Sequence, residues 1–136
     1  MQIKNKKNII IIFLLILFSF NLKLNAEEFN ISAKELRIDN ENKTLIGTGS
    51  VTAKDMQGKI IYADKITYKK LEEFLLAEGN VKIADKDGNV LKTDKATYDK
   101  INEKIVTYNN TDMILREGYK LSSKNISYDI IKKTLN

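Results

Sequence analysis

The sequence contains no cysteine, histidine, proline or tryptophan. Without cysteine, no disulfide can support the fold in any compartment. Without histidine and cysteine, Ser-His-Asp and Cys-His catalysis are excluded, and so are most zinc sites. The chain also lacks a hydrophobic run long enough to cross a bilayer. Its longest apolar stretch runs from Ile9 to Phe18, with Ser19 and Phe20 behind it. That falls short of the ~20 residues of a spanning helix. Lys4, Lys6 and Lys7 precede the stretch, Asn21 and Lys23 break it, and Leu24-Asn25-Ala26 offers a small residue at a cleavage position. Residues 1–26 therefore read as a secretory signal peptide cut near Ala26. An uncleaved membrane anchor is the alternative reading.

A surplus of one charge is also missing once that segment is set aside. The whole chain of 136 residues has 23 Lys+Arg against 18 Asp+Glu. Four of those lysines (Lys4, Lys6, Lys7, Lys23) fall in residues 1–26, which hold no acid, so 19 basic residues face 18 acidic ones in the rest. No basic cluster interleaved with aromatics remains, so no nucleic acid is expected as a partner. A convincing helix is absent too. Lys69 to Phe74 has helix-forming composition, but its counterparts, Asn40 to Lys43 and Lys100 to Glu103, read as turns.

What is present is a repeat. Residues 27–136 align with themselves, without gaps, at a spacing of 30 residues. Ile31 to Asp39, Ile61 to Lys69, Leu91 to Asp99 and Leu121 to Asp129 correspond. Leu36, Ile66, Ala96 and Ile126 share one column; Ile38, Tyr68, Tyr98 and Tyr128 share another. Gly49 and Gly79 are matched by Asn109, the commonest substitute where φ must be positive. Each copy reads as three short strands. The first, Ile61 to Tyr68, shifts its apolar phase between Ala63 and Ile66 and so predicts a bulge. The second centres on Leu45-Ile46, Leu75-Leu76 and Ile105-Val106. The third alternates as Val51/Ala53, Val81/Ile83 and Thr111/Met113. A tight turn or bulge is expected at Gly49-Ser50 and Gly79-Asn80, and a hairpin at Asp87-Gly88-Asn89. The result is an all-β meander that winds forward. The first strand, about Phe29 to Ile38, and the last, about Leu121 to Tyr128, are expected to form its free edges.

The pattern Ala63-Asp64-Lys65-Ile66-Thr67-Tyr68, then Glu78-Gly79-Asn80-Val81, then Thr93-Asp94-Lys95-Ala96-Thr97-Tyr98-Asp99 resembles the OstA-like domain of the lipopolysaccharide transport proteins. That domain is shared by LptA, LptC and the N-terminal part of LptD. The resemblance spans residues 31–136. It implies an open β-jellyroll, a V-shaped stack of antiparallel strands, in the periplasm and in association with the outer membrane as one option. It implies a bridge component that carries lipopolysaccharide along an apolar interior toward the outer membrane. It further implies lipopolysaccharide or lipid A as ligand, and other OstA-like domains as head-to-tail partners. The short apolar segment departs from LptC, and no barrel follows as in full LptD. A small LptA and an N-terminal piece of an LptD-like protein both fit, the fourth copy stopping early at Asn136.

The residues expected to line the interior, and so to meet lipid, are Leu36, Ile38, Leu45, Val51, Ile66, Tyr68, Leu75, Val81, Ile83, Ala96, Tyr98, Ile105, Met113, Ile126 and Tyr128. Periodicity alone does not separate a closed core from an open groove. A structural β-solenoid or surface-fibre segment without lipid is the rival. No catalytic residue, metal site or cofactor is expected. Asp39, Asp64, Asp94, Asp99 and Asp129 recur with the repeat and read as a solvated face beside Lys65 and Lys95. A catalytic pair would need two unlike environments. Asp85-Lys86-Asp87-Gly88-Asn89 has its glycine too early for a calcium loop and reads as a turn.

Overall fold

The computed structural model describes residues 29–136; the expected signal peptide, residues 1–26, lies outside them. The described chain is all β. Its strands are β1 (Asn30–Ser32), β2 (Glu35–Asp39), β3 (Thr44–Lys54), β4 (Ile60–Lys69), β5 (Phe74–Ala84), β6 (Val90–Asp99), β7 (Lys104–Tyr108), β8 (Thr111–Ile114), β9 (Lys120–Ser123), β10 (Ser127–Asp129) and β11 (Thr134–Leu135). They form one antiparallel sheet, with β3 to β6 each paired to the next in sequence. Local hairpins suffice for such an order, which is what a short-period sequence repeat can encode.

Three expected strands per copy become two. The second and third fuse into a single 11-residue strand, Thr44–Lys54 and again Phe74–Ala84. Gly49 and Ser50 (φ 81° and 49°) do not turn the chain back; they bulge it, as do Gly79 and Asn80 (φ 79° and 48°). The bulge expected between Ala63 and Ile66 lies in β4, where the register shifts between Tyr62 and Lys65. In the third copy Asn109 and Asn110 both adopt positive φ (62° and 41°), and there the strand breaks into β7 and β8. The last strand differs from expectation as well. Leu121 to Tyr128 is split into β9 and β10, and β11 pairs beyond β10.

These aligned bulges fold the sheet into two arms that meet at a vertex. One arm holds β2, the 44–48 and 74–78 halves of β3 and β5, the 65–69 and 95–99 halves of β4 and β6, and β7, β10 and β11. The other holds β1, β8, β9 and the remaining half-strands. The hairpin turns lie at the far ends of the arms. At Asp85–Asn89, Asp85 N–H donates to Asn89 O at 3.1 Å, and Gly88 has φ 92°. The core lies between the arms, in one cluster from Phe29 to Ile105.

Candidate functional site

Strand pairing carries apolar side chains in rows across each inner face, because residues opposite one another on neighbouring strands share a face. On the first arm one row runs Ile38, Leu45, Tyr68, Leu75, Tyr98, Ile105, Tyr128. On the second arm a row runs Ile31, Ala53, Ile61, Ile83, Leu91, Met113, Leu121. All fifteen residues expected to line the interior fall on these inner faces.

Their surroundings differ along the molecule. Val51, Ile66, Tyr68, Leu75, Val81, Ile83, Ala96, Tyr98, Ile105, Met113 and Ile126 are buried, and Leu45 and Tyr128 are half-buried. Leu36 and Ile38 are not sealed inside: they are 50% and 63% exposed. The reason is positional. Strand β2 has β3 on one side and no strand on the other among the described residues, and β1 opposite it is only three residues long. Ile61 and Leu91 are buried in the same core although absent from the expected lining. Their column, Ile31/Ile61/Leu91/Leu121, was legible at the 30-residue spacing.

Two features of the interior escape the apolar pattern. Phe29 precedes β1 and packs edge-on against Tyr68 and Tyr98, with ring centroids 5.3 and 5.8 Å away. Above these rings a polar cluster links the two arms. Lys59, from the turn before β4, donates through Nζ to Tyr98 Oη at 2.9 Å and lies 4.2 Å from that ring's centre. Tyr98 Oη donates to Glu103 Oε2 at 2.7 Å. Lys59 also faces Asp55, at 3.7 Å from Oδ2, which is too long for a hydrogen bond and leaves that buried oxygen without one. Burial pushes the Lys59 ammonium below its ordinary range; the charges of Asp55 and Glu103 pull the other way, and Lys100 adds to the lowering.

Beyond this cluster the arms part. A narrow cavity of about 40 Å³ opens there, bordered by Lys59, Asn89, Ile83, Leu91, Ile105, Met113 and Tyr128. A void of this size holds a water molecule or two and is too small for an acyl chain without the arms widening. At the vertex of the last copies the lining turns polar. Thr93, Thr107 and Thr111 are buried and joined through their hydroxyls at 3.0 and 2.7 Å. Thr107 Oγ1 also accepts from Ile126 N–H at 2.9 Å.

The recurring aspartates, exposed at Asp64 and Asp94 and half-buried at Asp39, Asp99 and Asp129, are not idle. Asp64 Oδ2 accepts from Asn80 Nδ2 at 2.9 Å across the vertex, and Asp39 and Asp99 close turns. Asp85 Oδ1 accepts from the backbone amides of Asp87 and Asn89, both at 2.9 Å, as a turn residue would. Among the described residues no three acidic, cysteine or histidine side chains converge as metal ligands would.

No protein-family model and no curated protein matches the sequence. A solved structure does match the fold: LptH from Pseudomonas aeruginosa, described as the LptA homologous periplasmic component of the conserved lipopolysaccharide transport device. It superposes with a TM-score of 0.71 over 81% of each chain, at 16% sequence identity. The fold is the OstA-like, LptA-type jellyroll. At this identity the likeness is one of architecture. The surface that the sequence resemblance implies for function is the inner face of the V. In this chain that face carries an apolar row from β2 to β11, interrupted by the Lys59 cluster and the buried threonines, packed shut midway and uncovered at β2.

Proposed function

We propose that this protein is a periplasmic, non-enzymatic bridge component that binds lipopolysaccharide through its lipid A acyl chains and passes it toward the outer membrane. The single observation that carries the reading is the row of apolar side chains running through the strands of an unclosed LptA-type sheet. Buried methylenes gain about 0.8 kcal/mol each, so such a face holds acyl chains without a polar motif. The fold shared with a component of a lipopolysaccharide transport device supports the same reading. Other LptA-type domains are its proposed partners, docked head to tail. Strands β1 and β2 at one end, and β9 and β11 at the other, each pair on one side only among the described residues, and free edges of this kind take up further strands.

The test is photo-crosslinking in cells. A crosslinking residue at Ile83 or Tyr128, beside the cavity, is expected to attach to lipopolysaccharide. One at Lys65 or Lys95, both exposed, is expected not to. The tight central packing favours a second reading, a structural β-solenoid with a dry core. Labelling that is equal at all four positions would remove the interior site, and labelling absent at all four would favour the dry core.

A further inference from the structure

We propose that Phe29 is a built-in plug occupying the acyl path, and that a bound acyl chain must displace it. This rests on the lipid-binding reading above and adds how access to that site is controlled.

The ring stands where a chain running along the inner faces would have to pass. Phe29 and Ile31 alternate onto the same side of the chain, and Ile31 opposes Ala53, which is fully buried between the arms. From that arm the Phe29 ring crosses to Tyr68 and Tyr98 on the other. It is only 7% exposed. Lys100 Nζ lies 5.3 Å from its centre, and the Lys59–Tyr98–Glu103 chain of hydrogen bonds spans the mouth alongside it.

The blockage is local. At the 30-residue spacing Phe29 corresponds to Lys59, Asn89 and Tyr119. Phe29 and Lys59 reach into the gap between the arms. Asn89 instead bonds back to Asp85 Oδ2 at 2.8 Å, and Tyr119 is exposed. The cavity is bordered by Lys59 and Asn89, so it opens where this column changes from large to small.

The ring is also held so that it can leave. Among the described buried apolar residues only Phe29 and Ile126 lie outside strands. Phe29 is tethered through β1, an edge strand with three register pairs to β3. Short edge strands sit at the low end of local stability. An acyl chain of many methylenes recovers more apolar burial than the single ring it replaces.

The sequence has no tryptophan, so Phe29→Trp installs a sole reporter at the plug. The exported variant is titrated with purified lipid A, and with deacylated lipopolysaccharide as control. Lipid A is expected to move the tryptophan emission to longer wavelength, and the deacylated form to leave it unchanged. Phe29→Ala is expected to bind lipid A about three- to tenfold more tightly, which corresponds to a plug seated in roughly 70–90% of molecules. The tryptophan variant decides the question alone if the alanine variant does not fold. Lipid A that binds without moving the emission overturns the plug and leaves the lipid-binding reading standing. Failure of the native protein and of both variants to bind lipid A overturns both.

Discussion

At the scale of single residues, each turn at the far end of the first arm is closed by a side chain reaching three positions on. Asp39 accepts from the backbone and side-chain amides of Asn42, and Asp99 from those of Asn102. Lys69 pairs with Glu72 at 3.3 Å, and Asp129 accepts from Lys132 N–H at 2.9 Å. The identities vary and the closure persists, which is why the aspartates recur without forming a catalytic pair. The Asn102 side chain is the main cause holding the Asp99 carboxyl below its ordinary value of 3.8, with the Asn102 amide next; Asn42 does the same for Asp39. A depressed folded pKa means stability that is present above the unfolded value and lost as pH falls through the folded one. Asp99→Ala is therefore expected to cost about 0.5–1 kcal/mol at pH 7. Thermal melts should show that gap closing as the pH is lowered past 3.8; a gap that persists in strong acid would assign the loss to packing. From sequence these aspartates read as a solvated face. They do lie at the surface, but periodicity is blind to hydrogen bonds made along it.

At the scale of elements, the positions of the bends were legible, whereas their consequence was not. Gly-Ser and Gly-Asn mark positive φ equally well for a hairpin and for a bulge. The outcome here depends on the neighbouring strand, which continues past Gly49 and Gly79 in antiparallel pairing on both sides of the shift. The fourth copy follows a different rule. There β9 and β10 separate, and the hydroxyl of Thr107 takes over by accepting from Ile126 N–H while Thr107 N–H donates to Ile126 O at 2.8 Å. Its counterparts Gly47 and Ala77 have no such group. Thr107→Val keeps the shape and strands a buried N–H, at a cost of about 1–3 kcal/mol. Hydrogen exchange should show β10 and β11 losing protection first, with β4 to β6 unaffected. Uniform loss across the sheet would mean that the hydroxyl serves the whole core.

At the scale of the molecule, the uncovered inner face at β2 matters most. Ile126 is buried, so a charge there would unfold the domain before it tested any contact between copies. Leu36 and Ile38 are exposed yet belong to the same rows as the core. If copies dock head to tail, these side chains continue the apolar interior across the joint. Sedimentation is expected to show concentration-dependent oligomers, since a head-to-tail contact does not close on itself. Leu36→Asp should weaken that association at least tenfold, by placing an uncompensated charge in an apolar seam, with the circular dichroism spectrum unchanged. A monomer at all concentrations, or a Leu36→Asp variant that associates like the native chain, would remove head-to-tail docking.

The sequence by itself determined the all-β class, the 30-residue period, the sites of the bends and the shared face of fifteen side chains. Those properties are local or periodic, and residues 30 apart fall in equivalent places along the sheet, as the pairs Leu45/Tyr68, Leu75/Tyr98 and Ile105/Tyr128 show. Only the tertiary structure decided how far the arms approach each other. Burial at an inner position depends on what the opposite arm supplies, so Leu36 and Ile38 are exposed while Ile66 and Tyr68, their partners by repeat, are sealed. The same holds for Phe29 and the Lys59–Tyr98–Glu103 cluster. The contacts that cross between the arms join residues of different copies: Lys59 and Tyr98 stand 39 positions apart, and Phe29 meets Tyr98 from two copies away. No repeat unit taken singly contains both partners.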